Sequence, residues 1–196
     1  MSDRPDPAIF AVVLAAGTAS RFGATKQLAK YQGAALVRRA TRLATEICGE
    51  RTALIVGHDW QAVYEACAPL DGFLIINEAY ADGIGTSIAR AIKSLEHVAD
   101  AAIILLADQP LITAEHLQAL LDCYTGAPDQ IVATQFSGTL GPPCLYSRGC
   151  FTDLAKLDKD RGGRHLLRDH RFQVTSVPFQ PARVDIDRPS DLDSIN

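Results

Sequence analysis

Five short runs of apolar residues, Phe10–Ala15, Ala53–Val56, Phe73–Ile76, Ala101–Leu106 and Ile131–Thr134, constrain this chain more than any other feature. Each is four to six residues long, rich in Val, Ile or Leu, and not alternating. Uninterrupted runs of this length suit strands buried on both faces, as in a parallel sheet covered by helices. Helical spacing fills the gaps. Leu36, Ala40, Leu43, Ala44 and Ile47 form one stripe; Ile88, Ala91, Ile92 and Leu95 form a second. Leu117, Leu120, Leu121 and Tyr124 form a third, which Thr113 can cap with Glu115 in its first turn. Strand and helix in alternation predict an α/β fold with a doubly wound, mostly parallel sheet. The last third is less regular. It reads as a Gly/Pro loop from Gly138 to Pro143, a short strand near Leu145, and helices around Phe151–Leu157 and Gly163–His170. Strands near Val174–Val177 and Arg183–Ile186 follow, then a short helix starting at Pro189. With no linker, repeat or low-complexity tract, residues 1–196 read as a single domain.

Composition narrows the function classes. With 47% hydrophobic and 21% charged residues the chain has enough apolar content to exclude intrinsic disorder. A net charge of -4 argues against a dedicated binder of nucleic acid or of anionic membranes. That charge is unevenly spread. From Pro7 to Thr45 there are six Lys and Arg and no acid, so this stretch is +6 and the remainder -10. An anionic ligand held at one end would suit this split; so would a solvated helix face carrying Arg38, Arg39 and Arg42. The apolar run Ile9–Ala16 is too short to span a bilayer, and MSDRPDPAIF lacks a cationic stretch leading into an apolar one, which predicts a cytoplasmic protein. Five cysteines without a CxxC pair predict reduced, mostly buried thiols rather than a zinc site or disulfide framework.

The segment VVLAAGTASRFGATKQL follows the first strand. It fits neither GxxxxGK[ST] nor GxGxxG, because Lys26 does not adjoin a glycine and position 19 is Ala. The ingredients for holding phosphate are nevertheless here. Gly17 and Gly23 allow close approach of backbone N–H groups, Thr18 and Ser20 add hydroxyls, and Arg21 and Lys26 add charge. The loop leaves the carboxyl end of a strand, where open α/β sheets bind ligands. A Gly-rich surface turn with two solvated cations would use the same residues. A second strand, Ala101–Leu106, ends in Ala107-Asp108-Gln109-Pro110-Leu111. This sets Asp108 on the same rim, where it can hold Mg²⁺ with phosphate oxygens or simply cap a turn.

LAAG-x-x-x-RFG-x-x-KQL resembles the signature loop of nucleotidyltransferases with a nucleotide-diphospho-sugar-transferase-like fold, and is most similar to the molybdenum cofactor cytidylyltransferases. The resemblance runs from Val12 to Leu192. It implies that Leu14, Ala15, Ala16, Gly17, Thr18, Ser20, Arg21 and Lys26 wrap a nucleoside triphosphate, with Arg21, Lys26 and Asp108 catalytic. The DQPL turn resembles the family's metal-binding turn, with Ala107 in place of Gly. Val184 to Leu192 resembles the D-I-D-T-P-E-D-L ending, with Arg188 for Thr and Ser190 for Glu. Its second aspartate is the partner metal ligand, which gives Asp187, although strand alternation would set Asp185 on the same face. Gly83 to Ile88 is similar to a Gly-Ser turn that contacts the nucleotide, implicating Gly85 and Ser87, and Asn77 is expected to orient base or ribose. Gly141-Pro142-Pro143 resembles the G-x-P loop facing the second substrate, and Lys159 to Arg164 resembles the GD-x-G-A-R turn. Gly141, Pro143, Arg161 and Arg164 are therefore expected around that substrate.

The resemblance implies Mg²⁺-dependent transfer of CMP from CTP to the terminal phosphate of molybdenum-bearing molybdopterin, with release of pyrophosphate and transient contact with a recipient molybdoenzyme. A GTP-dependent guanylyltransferase or a sugar-phosphate nucleotidyltransferase of the same fold is the alternative within the class. A non-catalytic carrier of the nucleotide or the molybdenum cofactor is the alternative outside it.

Overall fold

The computed structural model describes residues 6–18 and 22–195. The buried runs form the central strands, β1 (Ile9–Ala15), β4 (Thr52–Val56), β5 (Phe73–Ile76) and β6 (Ala101–Leu106). Two short strands, β2 (Lys30–Tyr31) and β3 (Ala34–Ala35), pair with each other apart from the main sheet. The sheet is completed by β7 (Gln130–Phe136), β8 (Thr139–Ser147) and β9 (Gln173–Pro178), in the order β5-β4-β1-β6-β8-β7-β9. Neighbours pair in parallel except at β6–β8 and β7–β8, so only β8 runs against the others.

Helices cover both faces. On one lie α1 (Leu36–Cys48), α2 (Trp60–Cys67) and α4 (Ala114–Asp122), which enclose a core that includes Val13, Leu54, Leu105 and Leu117. On the other lie α3 (Ile84–Leu95) and α5 (Phe151–Leu154), whose Ile92 and Leu154 share a core with Val12 and Ile55. The fold is thus a doubly wound α/β fold with a mostly parallel sheet. Thr113 caps α4, its hydroxyl accepting from His116 N–H at 3.3 Å. All five cysteines are free; Cys67, Cys144 and Cys150 are buried. Burial pushes the Cys144 and Cys150 thiols up to about 12. No helix among the described residues is long and apolar enough to cross a membrane.

The last third departs from expectation at four places. Gly138 to Pro143 is not a loop. Ser137 (φ 47°) and Gly138 (φ 72°) make a two-residue turn between Phe136 and Thr139, and β8 begins immediately. Prolines cannot donate to a ladder, and here they do not have to. The register jumps from Ala133↔Cys144 to Thr134↔Gly141, so Pro142 and Pro143 bulge out of the pairing. The expected strand at Arg183–Ile186 does not form. Gln180–Arg183 is a 3-10 helix, and the chain beyond runs extended with Ile186 wholly buried. The helix around Gly163–His170 is a 3-10 helix over Gly163–Arg168, and that around Phe151–Leu157 shortens to α5. The closing helix, α6 (Pro189–Asp193), starts at Pro189 as its sequence predicts.

Candidate functional site

Three chain segments meet at the carboxyl ends of β1 and β6. Ala107 N–H donates to Leu14 O at 3.2 Å, which ties the turn after β6 to the loop after β1. Ile186 N–H donates to Asp108 O at 3.0 Å, which ties the C-terminal segment to the same turn. Ile186 is the peg: it buries beside Tyr31 and Leu36, and the aspartates on either side stay at the rim. Asp191, in the first turn of α6, accepts from the backbone N–H groups of Asp187 (2.8 Å) and Arg188 (2.7 Å). Those two bonds hold its carboxyl below its ordinary value and fix where Asp187 leaves the chain.

The rim encloses a cavity of about 510 Å³ lined by Leu14, Ala16, Gly17, Thr18, Lys26, Ser87, Asp108 and Asp187 among others. The Lys26 ammonium stands between the two acids, 2.6 Å from Asp108 Oδ2 and 3.1 Å from Asp187 Oδ1. Burial alone would lower the lysine, but the charge and hydrogen bond of Asp108, joined by those of Asp187, outweigh it and raise it. Asp108 Oδ1 is buried without a hydrogen-bond partner among the described residues. Two carboxylates converging on a point already taken by a cation, one with an unpartnered buried oxygen, are a donor set that fits a hard divalent ion. Asp160 also lines the cavity. Among its described residues three acids thus stand against one lysine, a balance that favours cationic charge in the cavity.

Several expected residues sit elsewhere. Ala15 turns into the core under α1 rather than toward the cavity. Asn77 is 4% exposed, and its amide donates to Thr86 Oγ1 (2.9 Å) and Ser87 Oγ (3.0 Å) while accepting from Ala79 N–H (3.1 Å). It braces the start of α3 and is not among the residues lining the cavity. Gly85 packs the same turn down: its N–H donates to Lys159 O at 2.8 Å, and a side chain would strike Asp158 O and Arg161 O. Ser20 and Arg21 lie outside the described residues. Gln27 carried no expectation, yet it is 5% exposed, lines the cavity and donates to Gly17 O at 2.7 Å, shaping the loop from below. Arg39 is not part of a solvated face. Its guanidinium lies 4.9 Å from the Tyr31 ring centre and donates to Pro110 O at 3.3 Å, bracing the turn that carries Asp108.

A second cavity of about 260 Å³ adjoins the first and shares Leu14, Ile84 and Leu106 with it. Gly141 and Arg164 line it as expected; Pro143 and Arg161 do not. The bulge offers Pro142 instead, because Pro143 is buried with its carbonyl accepting from Thr134 Oγ1 at 2.7 Å. Gln109 and Asp185 also line this cavity. Asp185 keeps an exposed edge, yet desolvation of its inner side, followed by the charge of Asp108, pushes its carboxyl up to about 6. Asp185 and Asp187 therefore face different cavities, because the chain between them is not a strand. The turn after β6 sets Asp108 on the first cavity and Gln109 on the second, and the C-terminal segment sets Asp187 on the first and Asp185 on the second.

Known proteins share this frame. The chain is 32% identical over 117 residues to the purine catabolism protein PucB of Bacillus subtilis, over 58% of this chain and 56% of PucB. It is 31% identical over 138 residues to the bifunctional protein GlmU of Synechococcus sp., over 69% of this chain and 30% of GlmU. The chain therefore spans little more than half of one of these relatives and under a third of the other. The crystal structure of Rv0371c from Mycobacterium tuberculosis aligns over 98% of both chains at 26% identity and a TM-score of 0.85. A structure of Rv0371c in complex with manganese aligns over 95% of this chain and 97% of that one, at 25% identity and a TM-score of 0.79. Residues 11–174 match the family described as the MobA-like NTP transferase domain. With that match spanning most of its length, the chain belongs to the MobA-like NTP transferase domain family.

Proposed function

We propose that this chain is a divalent-metal-dependent nucleotidyltransferase that moves CMP from CTP to the terminal phosphate of a molybdopterin-type acceptor and releases pyrophosphate. The observation that carries the reading is the convergence of Asp108 and Asp187 on one point at the wall of the larger cavity, marked by the Lys26 ammonium. Family membership supports nucleotidyl transfer; the manganese held by Rv0371c supports a divalent cation at the aspartate pair, which we take to be Mg²⁺. Such an ion, held by Asp108 and Asp187, supplies positive charge to the phosphate under attack.

The chain's own groups do the rest by positioning and charge. Lys26, already within reach of both aspartates, turns its ammonium onto the departing pyrophosphate, where the growing negative charge is largest. The backbone of Gly17 and Thr18 borders the same cavity, and the Ser87 hydroxyl, oriented by Asn77, faces it from the first turn of α3. The attacking phosphate oxygen is already ionised, so no side chain has to take a proton from it. Leu14, Ile84 and Leu106, common to both cavities, let an acceptor in the smaller one approach a nucleotide in the larger.

The test is pyrophosphate release from each of the four nucleoside triphosphates with Mg²⁺ and molybdopterin. Release with CTP and molybdopterin is the expected result. Release with GTP instead would transfer the proposal to a guanylyltransferase, and nucleotide binding without release would favour a carrier.

A further inference from the structure

Asp187 stands on a segment, residues 184–195, of which no described residue belongs to either core flanking the sheet. Ile186 buries instead with Tyr31 of β2 and Leu36 of α1 in a cluster of their own. Leu111, three residues past Asp108, packs against the same cluster, as do Leu192 and Ile195 from beyond Asp187. Both acid-bearing segments thus rest on one small apolar anchor. Apolar contact is non-directional, so it gathers the segments without setting how far apart their carboxylates stand. A directional link has to do that.

Arg39 and Tyr31 supply one. Arg39, in the first turn of α1, donates from its guanidinium to Pro110 O at 3.3 Å, two residues past Asp108. The same guanidinium lies 4.9 Å from the centre of the Tyr31 ring. The Tyr31 hydroxyl accepts from Gln32 Nε2 at 3.2 Å, which leaves its proton for Ile195 O, also at 3.2 Å. From there α6 leads back to the site. Ile195 N–H donates to Leu192 O at 3.3 Å, and the Asp191 carboxylate holds Asp187 N–H at 2.8 Å. Pro110, Arg39, Tyr31 and Ile195 therefore bridge the turn that carries Asp108 and the segment that carries Asp187. Stability does not call for a guanidinium here. Arg39 Nε is buried with no partner among the described residues. A charge met by one carbonyl and one ring is poorly compensated for its lost water, and a Met side chain would cover the same surface without that cost. What Met cannot do is donate to Pro110 O.

We propose that Arg39 and Tyr31 are positioning residues of the metal site: their bridge from Pro110 to Ile195 sets Asp108 and Asp187 at the separation where both carboxylates hold one divalent ion. Neither side chain lines the cavity, so each acts through the backbone it holds. Without the bridge each carboxylate stays on its own segment, but the pair is no longer held together in advance. The ion must then gather its ligands on binding, and affinity falls. The assignment rests on the aspartate pair being the metal site, and not on which nucleotide or acceptor the chain uses.

The experiment titrates Mn²⁺ into the full chain without nucleotide, read by the electron-spin signal of the free ion, with melting temperature measured alongside. Arg39→Met is expected to weaken Mn²⁺ binding about 10-fold while the melting temperature holds or rises. A packing role alone would lower the melting temperature and leave the affinity. Tyr31→Phe keeps the ring beside the guanidinium and loses only the bond to Ile195. It is expected to weaken Mn²⁺ binding about 3-fold, and to add nothing to Arg39→Met, because the bridge is then already broken. Val63→Ala truncates a wholly buried residue of α2 outside the Tyr31 cluster. It is expected to lower the melting temperature at unchanged Mn²⁺ affinity. Wild-type affinity in Arg39→Met overturns the proposal. If that variant does not fold, wild-type affinity in Tyr31→Phe overturns it instead. Full additivity of the two substitutions, or equal weakening in Val63→Ala, overturns it as well. No Mn²⁺ binding by the wild type sinks the aspartate-pair assignment and this proposal with it. Mn²⁺ binding that responds to Arg39→Met, with no pyrophosphate release from any nucleotide, sinks the transfer reading alone.

Discussion

At the scale of single residues, the site turns on which charges have partners. Lys26 occupies the meeting point of Asp108 and Asp187, and a metal ion and an ammonium cannot share it. Lys26→Met should therefore raise the affinity for Mn²⁺ in the absence of nucleotide, by roughly 10-fold in a calorimetric or electron-spin titration. It should also lower the rate of pyrophosphate release; weaker Mn²⁺ binding in the variant would contradict this geometry. Lys26 and Asp108 were legible in the sequence because a glycine-rich loop and a strand-ending acid are local patterns. Gln27, Gln109 and Arg39 were not. Each acts through a backbone carbonyl, Gln27 on Gly17 across its own loop and Gln109 and Arg39 on the distant Ala182 and Pro110, and glutamine or arginine leaves no spacing signal for such a bond.

At the scale of elements, the strands and helices of the first two-thirds were legible because burial on both faces leaves an unbroken apolar run. The C-terminal third was not, since its form depends on what it packs against. Pro142 and Pro143 read as a loop, yet they enter β8 as a bulge that β7 holds in register. Arg183–Ile186 reads as a strand, but it joins neither sheet among the described residues and docks through Ile186 instead. The start of α3 shows the same dependence on a distant partner. Gly85→Ala should cost about 1–3 kcal/mol in urea unfolding, because its methyl meets the carbonyls of Asp158 and Arg161 at 2.6 and 2.7 Å. Gly162→Ala, with nothing within 4 Å and ordinary backbone angles, should change stability little. Equal effects of the two would contradict the close packing of α3 on that loop.

At the scale of the whole molecule, stability and activity rest on different groups. His116 is 4% exposed and stacks on Phe179 with ring centres 4.2 Å apart. Thr134 Oγ1 spends its proton on Pro143 O, so it accepts from His116 Nε2–H at 2.8 Å, and the ring is neutral with its proton on Nε2. Burial pushes the imidazole from its ordinary 6.5 down to about 4. Unfolded His116 takes up a proton near pH 6.5, while the folded residue resists until about pH 4. Its contribution is therefore intact above pH 6.5 and is lost progressively as the pH falls toward 4, by up to about 3 kcal/mol. His116→Phe should flatten the acid limb of melting temperature against pH across that window; an unchanged limb would contradict the assignment. The buried Cys144 and Cys150 should resist thiol reagents until the chain unfolds. The aspartate pair, by contrast, lines the cavity rather than the core, and the role proposed for it is chemical. The most direct measurement is pyrophosphate release from CTP, Mg²⁺ and molybdopterin by wild type and Asp108→Asn side by side, with melting temperature as the control for folding. The expected result is release by the wild type and a loss of at least about 100-fold in the variant at an unchanged melting temperature; wild-type turnover by Asp108→Asn would contradict the role of the two converging carboxylates.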